Sequence, residues 1–140
     1  MIQAFKKPLF FLTNFLTALT CLNAFFLFPS TANNPQYFWK IVELVRNDIY
    51  RNHPDLVENL VLHQETLVQV GSYSVLSWDS SVNGFSVVEK KPSGWQLIGT
   101  FLGEVNTYHM SRVGGVPPTI AEQLRAKNLQ TRRRLERSRS

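Results

Sequence analysis

The sequence predicts an α+β fold: an N-terminal helix, a four-stranded antiparallel meander and two short C-terminal helices packed on the sheet. Three observations carry this. From Tyr37 to Ile49 apolar residues recur at three- and four-residue steps, the helical period. From Leu60 to Leu102 the chain reads instead as short apolar stretches cut by Gly71-Ser72, Asn83-Gly84 and Pro92-Ser93-Gly94, all turn signals. After Gly103 helical patterning returns, and Gly114-Gly115 divides it into two segments.

Each element has its own signature. Pro35 opens a helix whose stripe is Tyr37, Phe38, Ile41, Leu44, Val45 and Ile49, with Glu43, Arg46 and Asp48 mostly on the other side. Asn52-His53-Pro54 stops it, because a residue before proline avoids the α region. Tyr37, Phe38 and Trp39 are consecutive, so at least one must point away from the core. Leu60–Val70 reads as one long strand, Tyr73–Trp78 as the second, Phe85–Lys90 as the third and Trp95–Leu102 as the fourth. On the fourth, strict alternation puts Trp95, Leu97 and Phe101 on one face and Gln96, Ile98 and Thr100 on the other. Trp78 and Trp95 are expected in the sheet–helix core. Short loops between neighbours favour antiparallel pairing. A short helix is expected over about Thr107–Arg112. The last helix begins at Val116-Pro117-Pro118, since proline suits a first turn, and carries Ile120, Ala121 and Leu124 inward. All the helices are expected on one face of the sheet.

Location is written at the other end of the chain. Lys6 and Lys7 precede an apolar run from Leu9 to Phe28, followed by Pro29-Ser30-Thr31-Ala32. Positive residues, an apolar stretch and small residues at a cleavage site form a secretory signal peptide over residues 1–32. The run is also long enough to span a bilayer, so an uncleaved anchor is the alternative. Both readings export the remainder to the periplasm or an equivalent extracytoplasmic space, membrane-anchored if the signal stays. The only cysteine, Cys21, lies in this segment, which leaves the rest with no disulfide, thiol nucleophile or thiolate metal site. Residues 33–128 then make a single α+β domain.

The formal charge of +5 arises from 15 Lys and Arg against 10 Asp and Glu, unevenly placed. Lys6 and Lys7 belong to the export segment, and Arg132, Arg133, Arg134, Arg137 and Arg139 to residues 129–140. What lies between is slightly acidic, so no nucleic-acid partner is expected. The basic stretch 129–140 reads as a solvated, disordered tail; its functional alternative is attraction to anionic lipid head groups.

Chemistry is sparsely marked. There is no nucleophile elbow, phosphate loop or dinucleotide fingerprint, and no carboxylate pair stands out for acid–base work. The histidines are His53, His63 and His109, and Met110 follows His109. Imidazole with thioether suits copper(I), which makes His109, Met110 and His63 the candidate metal ligands, with Glu65 beside His63 on one strand face. The structural reading of the same residues is a solvated His53, a wet sheet face at His63 and Glu65, and a core Met110.

Val70-Gly71-Ser72-Tyr73, Trp78, Gly84–Lys91, Gly94-Trp95-Gln96-Leu97-Ile98 and Gly114-Gly115-Val116-Pro117, in this order and spacing, resemble a family of small exported bacterial proteins. Some of its members are labelled as associated with copper uptake. Asn83-Gly84 stands where that family has a Gly-Gly pair, and Gly99–Gly103 lacks a cysteine that some members carry. The resemblance implies an exported single domain and, through those members, a tie to copper. The resulting expectation is a non-catalytic exported accessory or binding protein, its partner an unknown protein or a membrane surface. The alternatives are a periplasmic copper-handling protein and, third, a small enzyme with an unrecognised site.

Overall fold

The computed structural model describes residues 35–140; the export segment and Cys21 lie outside the described residues. The first element, α1, is the helix Pro35–Asn52. Ile41, Val42, Val45 and Ile49 are buried along it, while Trp39, of the three consecutive aromatics, is 58% exposed. His53 N–H closes the helix on Ile49 O at 2.8 Å, and Pro54–Leu56 then form a 3₁₀ turn.

Five antiparallel strands follow: β1 (Val61–Leu62), β2 (Val68–Val70), β3 (Tyr73–Asp79), β4 (Asn83–Lys91) and β5 (Gly94–Leu102). β3, β4 and β5 form the expected meander, with β1 and β2 both paired to the far side of β3. The long strand expected over Leu60–Val70 is therefore broken. Leu62 pairs with Trp78 and Val68 with Val75, so five residues on one side span only Leu76 and Ser77 on the other. The excess is taken up by the 3₁₀ turn Gln64–Thr66. Thr66 makes the break tolerable. Its hydroxyl accepts the Ser77 N–H at 3.1 Å and donates to His63 O at 2.6 Å, standing in for a ladder bond.

The helices do not share one face. α1 packs its stripe on Leu76, Trp78, Val88 and Trp95. The opposite face, with Val75, Phe85, Val87 and Met110, is covered by the C-terminal segment through Val116, Ala121 and Leu124. The physical signal is the adjacent pairs Val75-Leu76 and Val87-Val88. Neighbours on a strand point to opposite faces, so two apolar neighbours require cover on both. The alternation expected on β5 also fails. Val87 pairs with Gly99 but Val88 with Leu97, so Ile98 is an extra residue. This bulge reverses the phase: Trp95 and Leu97 face α1, whereas Ile98 and Phe101 pack on the other side.

Trp78 is fully buried, and Trp95 nearly so. The Trp78 ring lies across Gly84, its cross-strand partner, where an added Cβ would clash with the ring. Its Nε1–H donates to Ser86 Oγ at 3.1 Å; Ser86 shares a 3.0 Å bond with Thr100, whose hydroxyl donates to Asp48 on α1 at 2.7 Å. Asp48 is thus turned toward the sheet rather than away from it. The chain of bonds fixes α1 over β4 and β5 by polar as well as apolar contacts.

After β5 the expected short helix is a π-helical turn, His109–Val113, closed by Gly114 N–H to His109 O at 2.9 Å. The last helix, α2 (Pro118–Arg139), runs straight through the stretch read as a disordered tail. Two causes are visible. From Thr119 to Arg139 there is no glycine or proline, and arginine, glutamine and leucine are good helix formers. The buried stripe Ala121, Leu124, Asn128 also continues as Thr131, Arg132 and Leu135, all half-buried. An arginine stem can cover apolar surface that a reading by hydropathy assigns to leucine or valine. Among the described residues no helix is long and apolar enough to cross a membrane.

Candidate functional site

The break between β1 and β2 opens a cleft of roughly 160 Å³, closed on one side by the second half of α2. The register that sets Val61 against Asp79 brings His63 to Asp79, with Nε2 to Oδ2 at 2.6 Å. A carboxylate only accepts, so His63 Nε2 carries a proton that it donates to Asp79. Glu65 Oε1 is 3.7 Å from that Nδ1 and takes Arg139 Nη2 at 3.3 Å. Arg132 and Glu136 line the same cleft from α2. Opposite charges are therefore interleaved here, and the pairs are exposed enough for water to weaken each to about 0–1 kcal/mol.

Behind the cleft stands Asn128. It is fully buried, and its Nδ2 donates to Thr66 O at 3.2 Å and Ser77 Oγ at 3.1 Å, while Oδ1 has no partner among the described residues. Asn128 joins α2 to the 3₁₀ turn that fills the strand break and to β3 opposite it, which fixes the helix as it passes over the cleft.

His109 has a different environment. Asn106 Oδ1 accepts the His109 backbone N–H at 2.9 Å, which fixes the amide so that its Nδ2 faces the ring. Nδ2 donates to His109 Nδ1 at 2.8 Å and to Glu104 O at 3.0 Å. Neutral His109 therefore carries its proton on the outward Nε2. The ring also stacks on Phe101, centroids 5.6 Å apart. Met110 next to it is fully buried among Phe85, Val87 and Leu124.

These placements bear directly on copper. A ligating histidine offers a lone pair outward and donates its other N–H to a partner. His109 does the reverse, and the Met110 sulfur is enclosed in the core. His63 donates Nε2–H to Asp79, but its neighbour Glu65 is held by Arg139, and its cleft is lined by neither His109 nor Met110. The donor set His109, Met110 and His63 does not fit a copper ion as arranged. Among the described residues no three His, Cys, Asp or Glu side chains gather as a metal-binding group.

The other side of α2 presents a different surface. Arg125, Arg133, Arg134 and Arg137 stand along one face of the helix with Ala126, Leu129 and Gln130 between them. All ten Asp and Glu of the chain lie within the described residues. Of the α2 arginines, only Arg139 reaches one of them within an ion-pair distance. α2 holds seven Lys and Arg against two Glu, whereas residues 35–117 hold six against eight acids. The net positive charge of the described domain therefore resides on this one helix.

No family model matches the chain, and neither does any curated protein or solved structure. The functional reading rests on the geometry just described.

Proposed function

We propose that this protein is a non-catalytic exported accessory protein that binds its partner through the outer face of α2. The observation that carries the reading is the row of arginines without carboxylate partners on a helix whose other side is anchored in the core. A charge pattern needed only for the fold would be neutralised internally, as Arg139 is by Glu65. The cleft at His63 supports an enzyme less well. Ligand pockets commonly enclose about 300–1,000 Å³, and the one serine hydroxyl lining this smaller cleft, Ser77, is engaged by Asn128 on its buried side.

Photo-crosslinking in cells tests the proposal. A photoreactive residue at Arg133 is expected to give adducts, to protein or to lipid, that the same residue at exposed Glu43 on α1 does not give. Equal yields from both positions, or none from Arg133, would remove α2 as the binding face.

A further inference from the structure

The binding-face reading leaves the partner's chemistry open, and the arrangement of α2 narrows it. We infer that the outer face of α2 docks on anionic lipid head groups; the inference rests on the proposed function above. Arg125 and Arg137 are twelve residues apart, so the array extends about 18 Å along the helix. Arginine at several positions along a straight rod matches a plane of phosphates, each guanidinium able to take two phosphate oxygens. Ala126 and Leu129 lie between the arginines, so the guanidinium stems border a small apolar strip. Read as an export signal or an anchor, the lysine-led run Leu9–Phe28 brings the domain to a membrane, whose lipid head groups are then a polyanion within its reach.

The bland explanation is that the cations stabilise the negative C-terminal end of α2. That effect fades within the last turn. It accounts for Arg137 and Arg139 and leaves Arg125, Arg133 and Arg134 unexplained. A second explanation, internal pairing, fails because no acid lies within ion-pair distance of these side chains. The acidic balance of residues 35–117 has a consequence too. α2 holds seven Lys and Arg against two Glu, whereas α1, on the opposite face of the sheet, holds only Lys40, Arg46 and Arg51 against Glu43 and Asp48, so an anionic bilayer attracts the α2 side more strongly and orients the molecule with α2 toward the lipid.

The test uses the full chain reconstituted in vesicles, with Cys21→Ser and a single fluorophore on Gln130→Cys, or on Glu43→Cys as the control. Vesicles are phosphatidylcholine alone or with about 30% phosphatidylglycerol, and both contain a head-group quencher. Quenching at position 130 is expected to rise several-fold with phosphatidylglycerol, to return to the neutral-lipid level at about 0.5 M salt, and to stay low at position 43. Arg133→Glu/Arg134→Glu/Arg137→Glu is expected to abolish the rise, and the Gln versions of the same three substitutions to reduce it with an unchanged circular dichroism spectrum. Equal quenching at both positions, or an undiminished rise in the Gln variant, would overturn the inference. Protein-only crosslinks from Arg133 without any phosphatidylglycerol dependence would also overturn it, while leaving the binding face in place.

Discussion

The two halves of α2 share a helix and little else. The first half buries Ala121, Leu124 and Asn128 and closes one face of the sheet. The second half buries no residue fully, covers the cleft at the strand break and turns Arg133, Arg134 and Arg137 to solvent. The first half is shaped by packing, which is sensitive to a single methylene. The second is held by helix propensity, a half-buried Leu135 and one exposed ion pair, and is open to selection for what it touches outside. A helix this long on a small sheet is thus both a wall of the core and a projecting surface.

The largest expected difference between the halves is in stability. Leu124→Ala removes a fully buried side chain and leaves a cavity, which costs about 2–5 kcal/mol, whereas Arg133→Ala is expected to stay within about 0.5 kcal/mol of the parent. Urea unfolding of the two variants checks this. Similar losses would erase the distinction between wall and projection.

Next in size is the junction between the halves. Asn128→Ala leaves Thr66 O and the Ser77 hydroxyl without their donor in a buried place, at a cost of about 1–3 kcal/mol. Unfolding by urea, together with faster amide exchange at Thr66–Val68, is the expected outcome. A neutral effect would mean that the strand break is held by Thr66 alone.

Much of this comparison was legible in the sequence, and the failures have identifiable causes. α1, the three-strand meander and the buried tryptophans follow from period and turn residues, because each depends on local chemistry. The second covered face was signalled by Val75-Leu76 and Val87-Val88, but one-sided alternation was assumed. The bulge at Ile98 and the break at Gln64–Thr66 depend on cross-strand register, which no local pattern records. His63 and Asp79 meet only because of that register. Asn128 was detectable, since a polar residue four places after Leu124 interrupts an apolar stripe. The helical tail was missed because arginine stems carried the stripe onward. Export is tested by intact mass: loss of residues 1–32 is the expected result, and a mass that retains them would mean an anchor.

A smaller effect belongs to the face that the first half of α2 covers. Burial, and then the neighbouring Glu89, push the Tyr73 hydroxyl above its ordinary value of about 10. Above that pH the unfolded chain releases this proton while the folded one keeps it, so the folded state binds more protons and stability falls as pH rises. Below pH 10 both states hold the proton and the contribution is constant. Tyr73→Phe is expected to flatten the alkaline part of the pH–stability curve and leave neutral pH little changed. An identical alkaline slope in the variant would assign the loss to other groups.

The most direct measurement concerns the outer face itself. Replacing Arg125, Arg133, Arg134 and Arg137 together by Gln keeps helix propensity and removes four charges. If this face serves recognition, the urea midpoint is expected to move by no more than about 1 kcal/mol in stability, the scale of a lost helix-end charge interaction. A loss of about 3 kcal/mol or more, the scale of a core substitution, would show that the arginines hold the domain together and would contradict the assignment of α2 as a binding surface.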